Sequence, residues 1–317
     1  MKKRIWQWMV RSTLSALLVI LKFIPWRVAL SFGTMMGSLG YALSARYRKV
    51  ADKNLRLAYG DSKTPAERAE LTKRVFQHFS RMALVECLKA PTLTDDELRK
   101  LVVVESYAPF DAVLSRGNGM VFICAHLGNW ELLARRAAIE GYPVMVIARQ
   151  SPDPGLNAIT DRLREGGGYT VHPRGASVKP ILKTLRAGGI VAILPDQKSD
   201  DVFVPFFGEV TGTVAGPAVL AMKTGAAILP SFCPRQPDGT YRMIFKPEID
   251  THTTGDTAAD TERIMTDINQ VIEDVIREYP DQWLWLHDRW KIKPPATVSS
   301  LSKDDRLGNE NTVSKAC

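Results

Sequence analysis

In the stretch "ICAHLGNWELLARR", Ile123 to Arg136, His126 closes a strand-like apolar run and Glu131 opens what reads as a helix. An imidazole held by a carboxylate is a general base: the acid orients the ring and stabilises its cation. Helix geometry restricts the pairing, because five helical residues turn by about 500° and would face the two side chains apart. They can meet only if His126 lies before the helix, on a turn that Gly128 and Asn129 suit as turn and cap residues. Glu131 then sits in the first helical turn, where the helix dipole favours its charge. The bland alternative is a turn histidine beside a solvated first-turn acid, and spacing alone does not separate the two. The sequence contains no G-x-S-x-G elbow and no cysteine beside a second histidine. A base without a protein nucleophile points to a substrate hydroxyl as the attacking group.

The elements that must position this pair follow from the rhythm of the chain after Gly119. The strand-like runs "MVFICA", "YPVMVIAR", "YTVHPR" and "IVAILPD" are separated by helical segments over Asn129–Gly141, Leu156–Glu165 and Val178–Ala187. Such alternation implies crossover units, hence an α/β fold with a central, mainly parallel sheet flanked by helices. Ligands and catalytic groups gather at the carboxyl ends of parallel strands, which is where His126 should stand. Further on, Gly216–Thr224 reads as a helix, "AAILPSF" and "TYRMIFKPEI" as strands, and about Ala258–Tyr279 as a long helix. Upstream, Pro65–Lys89 has helical spacing, and Thr94–Leu101 reads as a short helix capped by Thr94 or Asp95.

Charge divides the chain. Residues 1–50 carry nine Lys and Arg and no acid, while the other 33 Lys and Arg nearly balance 34 acids, so the net +8 belongs to the N-terminus. A nucleic-acid binder would carry the excess on a folded face; a basic, apolar, Trp-bearing N-terminus suits an anionic membrane surface. On a helix from Ile5 to Pro25, Arg4, Arg11 and Lys22 fall within about 20° of one another, with Ser15 close by. One narrow polar stripe describes a retained anchor lying in the interface or packed on protein, more than a clean span. A second apolar stretch runs from Val28 to Ala45. The organisation expected is a membrane-associated helical segment over 1–50, an α/β domain over 51–293 and a disordered tail over 294–317. The four cysteines are widely spaced and none of the five histidines is paired at ligand spacing, so neither a disulfide framework nor a metal site is expected. Walker and Rossmann glycine patterns are absent.

"HLGNWE" also resembles the H-x4-D/E motif of bacterial membrane acyltransferases, the lipid A late acyltransferases and related glycolipid and lysophospholipid acyltransferases. Its company strengthens the likeness: "VMVIAR", "RG" at Arg174-Gly175, "GGIVAILPDQ", "VFVPFFG", "TVAGPAVLAMKTGAAILP" and "PDQWLWLHDRWK" are similar to successive blocks of that family, in order, over roughly Asn54 to Lys291. The resemblance implies direct transfer of an acyl group from a thioester of acyl carrier protein or coenzyme A to a lipid hydroxyl, with no cofactor. It gives His126 the role of base and Glu131 that of orienter; in some relatives a later carboxylate does the orienting, and Asp196, at another strand end, matches it. Arg149 and Arg174, with Lys198 behind them, become candidates for the acceptor's phosphates. Gln197 joins them as a substrate-binding candidate, and Asn129 or Gly128 as an oxyanion donor. "VPFFG" would line an acyl tunnel or the core, and Trp283, Trp285 and Trp290 suit either a membrane interface or packing. Arg135, Arg136 and the N-terminal cations would form a basic rim for an acidic carrier protein.

The reading is an acyltransferase of lipid A assembly on the cytoplasmic face of a bacterial inner membrane. Within the class the alternatives are a phosphatidylinositol mannoside or lysophospholipid acceptor. Outside it, a thioesterase would use the same base on water, and a membrane-bound scaffold would keep the fold alone.

Overall fold

Apolar runs covered on both faces become the inner strands of parallel sheets. Met120–Ile123, Ile190–Ile193 and Ala227–Phe232 are such runs, and every residue in them is buried. The computed structural model describes residues 2–295. Its strands are β1 (Val102–Val104), β2 (Met120–Ile123), β3 (Val144–Ala148), β4 (Thr170–Pro173), β5 (Ile190–Ile193), β6 (Lys198–Phe206), β7 (Glu209–Thr213), β8 (Ala227–Phe232) and β9 (Tyr241–Phe245). One seven-stranded sheet has the order β1-β9-β8-β2-β5-β3-β4, and β6 and β7 form a separate antiparallel hairpin. Only β8 and β9 run antiparallel among the sheet's neighbours. The expected α/β architecture is therefore the one observed.

Side chains of a strand alternate between faces, and β2 divides its residues accordingly. Val121 and Ile123 join Leu71, Val75, Ile264 and Ile268 in one core, while Met120 and Phe122 join Phe110, Leu132 and Leu133 in the other. The helix Thr257–Glu278 is capped by Asp256, which accepts from the N–H groups of Ala258 and Ala259. Thr64 and Glu67 make a capping box for Pro65–Arg81, and Thr94, not Asp95, caps Asp95–Leu101. "VFVPFFG" falls in β6 and the turn after it, with Phe206 and Phe207 buried against Trp283, Trp285 and Trp290. These tryptophans are core, not interface.

Three helices, Lys2–Phe23, Trp26–Leu43 and Ala45–Tyr59, precede the sheet, and residue 50 lies inside the third. Pro25 separates the first two. Trp26–Leu43 packs on Pro65–Arg81 through glycine: a Cβ at Gly37 would stand 2.5 Å from the Cα of Gln77. The first helix docks on the domain. Arg11 bonds both oxygens of Asp153 (2.5 and 3.1 Å), and buried Lys89 donates to the carbonyls of Leu21 (2.6 Å) and Ile24 (2.8 Å). Leu21 is buried with Ala29, Val85 and Leu88, while Trp6, Trp8, Val19, Ile20 and Phe23 on the same helix are exposed. Among the described residues no single helix is long and apolar enough to cross a membrane, though Trp26–Leu43 and Ala45–Ser62, bent by 90°, meet the length and composition together. The side chains of Arg4 and Lys22 in the expected polar stripe, and residues 296–317 of the expected tail, lie outside the described residues.

Candidate active site

Register brings the chemistry together. Ile123 of β2 pairs with Ile193 of β5, and His126 and Asp196 each follow three residues later at the carboxyl edge. Asp196 is 2% exposed and accepts three bonds: His126 Nδ1 to Oδ1 (2.7 Å), the His126 backbone N–H to Oδ2 (2.7 Å) and the Trp283 indole N–H to Oδ2 (2.8 Å). Burial by itself raises a carboxyl's pKa; here the charge and N–H groups of His126 and the indole of Trp283 outweigh it and hold Asp196 below its ordinary value. An anion that accepts three donors fixes the proton of His126 on Nδ1 and leaves Nε2 with the lone pair that base chemistry needs. Gln197 Nε2 lies 3.2 Å from that nitrogen, and the Trp130 ring packs edge-on at 4.9 Å.

Glu131 does not take this place. His126 does precede the helix, here Trp130–Ala138, but the Glu131 carboxylate turns to Arg164 Nη2 (2.6 Å) and to the Tyr169 hydroxyl (2.7 Å). Burial and the Glu131 charge push the Tyr169 phenol well above its usual range. Of the two acids offered by the sequence, Asp196 is the one in contact with the imidazole. Arg164 and Tyr169 stand in no motif, and sequence reasoning missed both.

The edge continues along the sheet. Ala148 of β3 pairs with Pro173 of β4, so Arg149 and Arg174, one residue later, are also neighbours. Both are exposed and line, with His126, Glu131, Arg164 and Gln197, a cavity of about 550 Å³ whose other walls are apolar. A second cavity of about 300 Å³, lined by Leu14, Met82, Leu88 and Leu163, adjoins it across Glu131 and Arg164.

The chain has relatives of known activity. The family model of the bacterial lipid A biosynthesis acyltransferases matches residues 2–292. The chain belongs to that family. It is 28% identical over 276 residues to a lipid A biosynthesis palmitoleoyltransferase of Escherichia coli (strain K12), covering 86% of this chain and 87% of that protein. A lauroyltransferase of lipid A biosynthesis from the same organism is 26% identical over 281 residues, covering 87% and 89%. A phosphatidylinositol mannoside acyltransferase of Mycobacterium tuberculosis (strain CDC 1551 / Oshkosh) is 30% identical over 217 residues, covering 65% and 66%.

Other expectations for this acyltransferase are corrected by its packing. Asn129 is fully buried and lines neither cavity: its Oδ1 caps the helix at Leu132 N (3.0 Å) and its amide donates to Glu86 (2.9 Å). The N–H groups of Gly128 and Asn129 go to the carbonyls of Gln282 (3.0 Å) and Cys233 (2.9 Å), so neither is left for an oxyanion. Gly128 has φ +63° and packs against the Cys233 backbone, a position closed to side chains. Its carbonyl accepts from His78 Nε2 (3.0 Å), a histidine whose pKa burial and the nearby Arg235 push down to about 3. Glu86, which holds Asn129, is itself buried between Arg235 and Tyr241. This packing fixes the turn that carries His126. Lys198 begins β6 outside the cavity, its backbone N–H directed to His287 (3.4 Å). Arg135 and Arg136 are no basic rim: both are buried, Arg135 bonded to the carbonyls of Ala90 and Leu93, Arg136 to that of Val102 and to Glu140. Among the described residues no three His, Cys, Asp or Glu side chains converge as metal ligands.

Proposed function

We propose that the chain moves a fatty acyl group from a thioester, on acyl carrier protein or coenzyme A, to a hydroxyl of a lipid A precursor. The carrying observation is the His126–Asp196 pair, with Nε2 turned to a cavity lined by no serine or threonine and by one thiol, Cys124, which is buried and held protonated by that burial. His126 takes the hydroxyl proton as the acceptor oxygen attacks the thioester carbon. The C–S bond then breaks, and the imidazolium returns the proton to the departing thiolate. Asp196 stabilises the imidazolium throughout. With the Leu132 N–H used by the cap, those of Trp130 and Glu131, first in their helix, are the donors for the oxyanion.

Arg149 and Arg174 fit the acceptor's charge. Strands lie about 4.8 Å apart, so β3 and β4 set these cations about 10 and 14 Å along the edge from β2 and His126. That is the span of two linked sugars between a reacting hydroxyl and a phosphate. Acyl chains would fill the apolar walls and the second cavity. Membrane attachment at the cytoplasmic face of the inner membrane is supported by apolar side chains left exposed on the first two helices. On Trp26–Leu43 these are Val28, Phe32, Met35, Leu39 and Leu43, one stripe at helical spacing that is separate from the buried row of Ala29, Gly33 and Gly37. A phosphatidylinositol mannoside acceptor is the second reading, favoured by the mycobacterial relative.

Lipid mass spectrometry of cells lacking the protein, complemented with wild type or His126→Ala, tests the proposal. One lipid class should gain a single acyl chain with wild type alone, and its identity names the acceptor. Equal restoration by both versions would remove His126 from the reaction.

A further inference from the structure

Both ring nitrogens of His126 are held by consecutive residues. Asp196 takes Nδ1 at 2.7 Å, and the Gln197 side-chain amide sits 3.2 Å from Nε2. The three donors on Asp196 put the ring proton on Nδ1, so Nε2 presents a lone pair. Only the NH2 end of Gln197 can face it; the amide oxygen would set lone pair against lone pair. Gln197 thus donates to the atom that the reaction needs as a base.

A water in that place would be both activated and able to attack. A carboxamide N–H satisfies the lone pair yet can neither be deprotonated by an imidazole nor add to a thioester. The contact, at 3.2 Å, is an ordinary neutral hydrogen bond of modest net strength, and the side chain is half-buried on the cavity wall, so a well-placed hydroxyl can displace it. Such a hydroxyl belongs to a ligand anchored by Arg149 and Arg174; water has no such anchor.

We infer that Gln197 guards the base: its amide fills the Nε2 lone pair until an anchored acceptor hydroxyl displaces it, and so directs the acyl group to lipid instead of water. The inference rests on the acyl-transfer reading. In the suppressed reaction, water adds to the thioester carbon while its proton passes to Nε2, the C–S bond breaks, and the products are a free fatty acid and a thiol.

The test is Gln197→Met, close in size but without a donor, with Gln197→Asn, whose amide is one methylene short of Nε2. Purified full-length protein in detergent is given an acyl thioester with and without the lipid acceptor, and free acid and acylated lipid are quantified. Removing a competing bond of ordinary net strength should raise the ratio of free acid to acylated lipid about two- to tenfold in both variants. Thioester hydrolysis without acceptor should rise by a similar factor, at unchanged melting temperature. A ratio equal to wild type, or loss of transfer with no gain in hydrolysis, overturns the inference and makes Gln197 a substrate ligand only. His126→Ala separates the two levels: it must abolish transfer and hydrolysis alike, and transfer surviving in it would refute the reading beneath.

Discussion

Replacing Asp196 with Asn discriminates between the two acids near His126. The carboxylate accepts from the His126 backbone N–H and the Trp283 indole on one oxygen and from Nδ1 on the other. Asparagine has one acceptor oxygen and one donor group. With its oxygen kept on the side of two donors, its NH2 faces Nδ1, which must then give up its proton to Nε2. The reverse orientation sets NH2 against two N–H groups and is the costlier choice. The imidazole therefore switches tautomer and loses its base. The same carboxylate-to-amide change in a Ser-His-Asp triad lowers kcat by about ten-thousandfold, so a fall of about a thousand- to ten-thousandfold is expected here. Stability should fall by only about 1–3 kcal/mol, for one weakened buried polar contact. Glu131→Gln leaves the dyad intact and loosens Arg164 (now 2.6 Å from the acid), costing about 1.5–3 kcal/mol of a charged hydrogen bond and appearing mainly in KM. Single-turnover acyl transfer followed by mass spectrometry, with circular dichroism as a folding control, reads both. Should folded Glu131→Gln lose as much kcat as Asp196→Asn, or Asp196→Asn keep a tenth of wild-type kcat, the assignment of the dyad is refuted.

Two further outcomes follow from the same geometry. His78 is held neutral with its pKa down at about 3, so between that value and the unfolded value near 6.5 the unfolded chain binds the extra proton, and stability is lost as pH falls through this window. The cost at pH 5 is about 2 kcal/mol; urea denaturation at pH 7 and pH 5 should show His78→Gln losing that much less than wild type, and equal losses would contradict it. Arg149→Ala with Arg174→Ala should raise KM for a phosphorylated acceptor at least about tenfold while leaving a dephosphorylated analogue unaffected; equal effects on both would detach these cations from the phosphate.

The sheet was legible because its inner strands are continuous apolar runs between helices, and because the glycines that end each helix mark the next strand. β1 and the hairpin β6–β7 carry no such signal: Val102–Val104 is only three residues long, and β6 begins with the charged "KSDD" and contains Pro205. Pro205 is tolerated in β6 because a two-stranded hairpin leaves each strand an outer edge. The same limit applies at the N-terminus. Helical spacing located a polar stripe, but Arg11 spends its charge on Asp153, 142 residues away, a partner that no periodicity contains.

The site divides along a similar line. His126 and Asp196 each stand three residues past a strand end, and once β2 and β5 are adjacent their meeting follows from register alone. What a sequence cannot supply is the order of strands, which decides whether 126 faces 196 or the nearer acid captures it. Glu131 sits five residues from His126 and still pairs elsewhere, because the helix that begins at Trp130 carries its side chain to Arg164 and Tyr169. A short spacing between a histidine and an acid thus marks a turn built for chemistry without naming the partner. Here the acid after the histidine secures an arginine between two cavities, and the one that holds the base comes from the next strand in the sheet, 70 residues away.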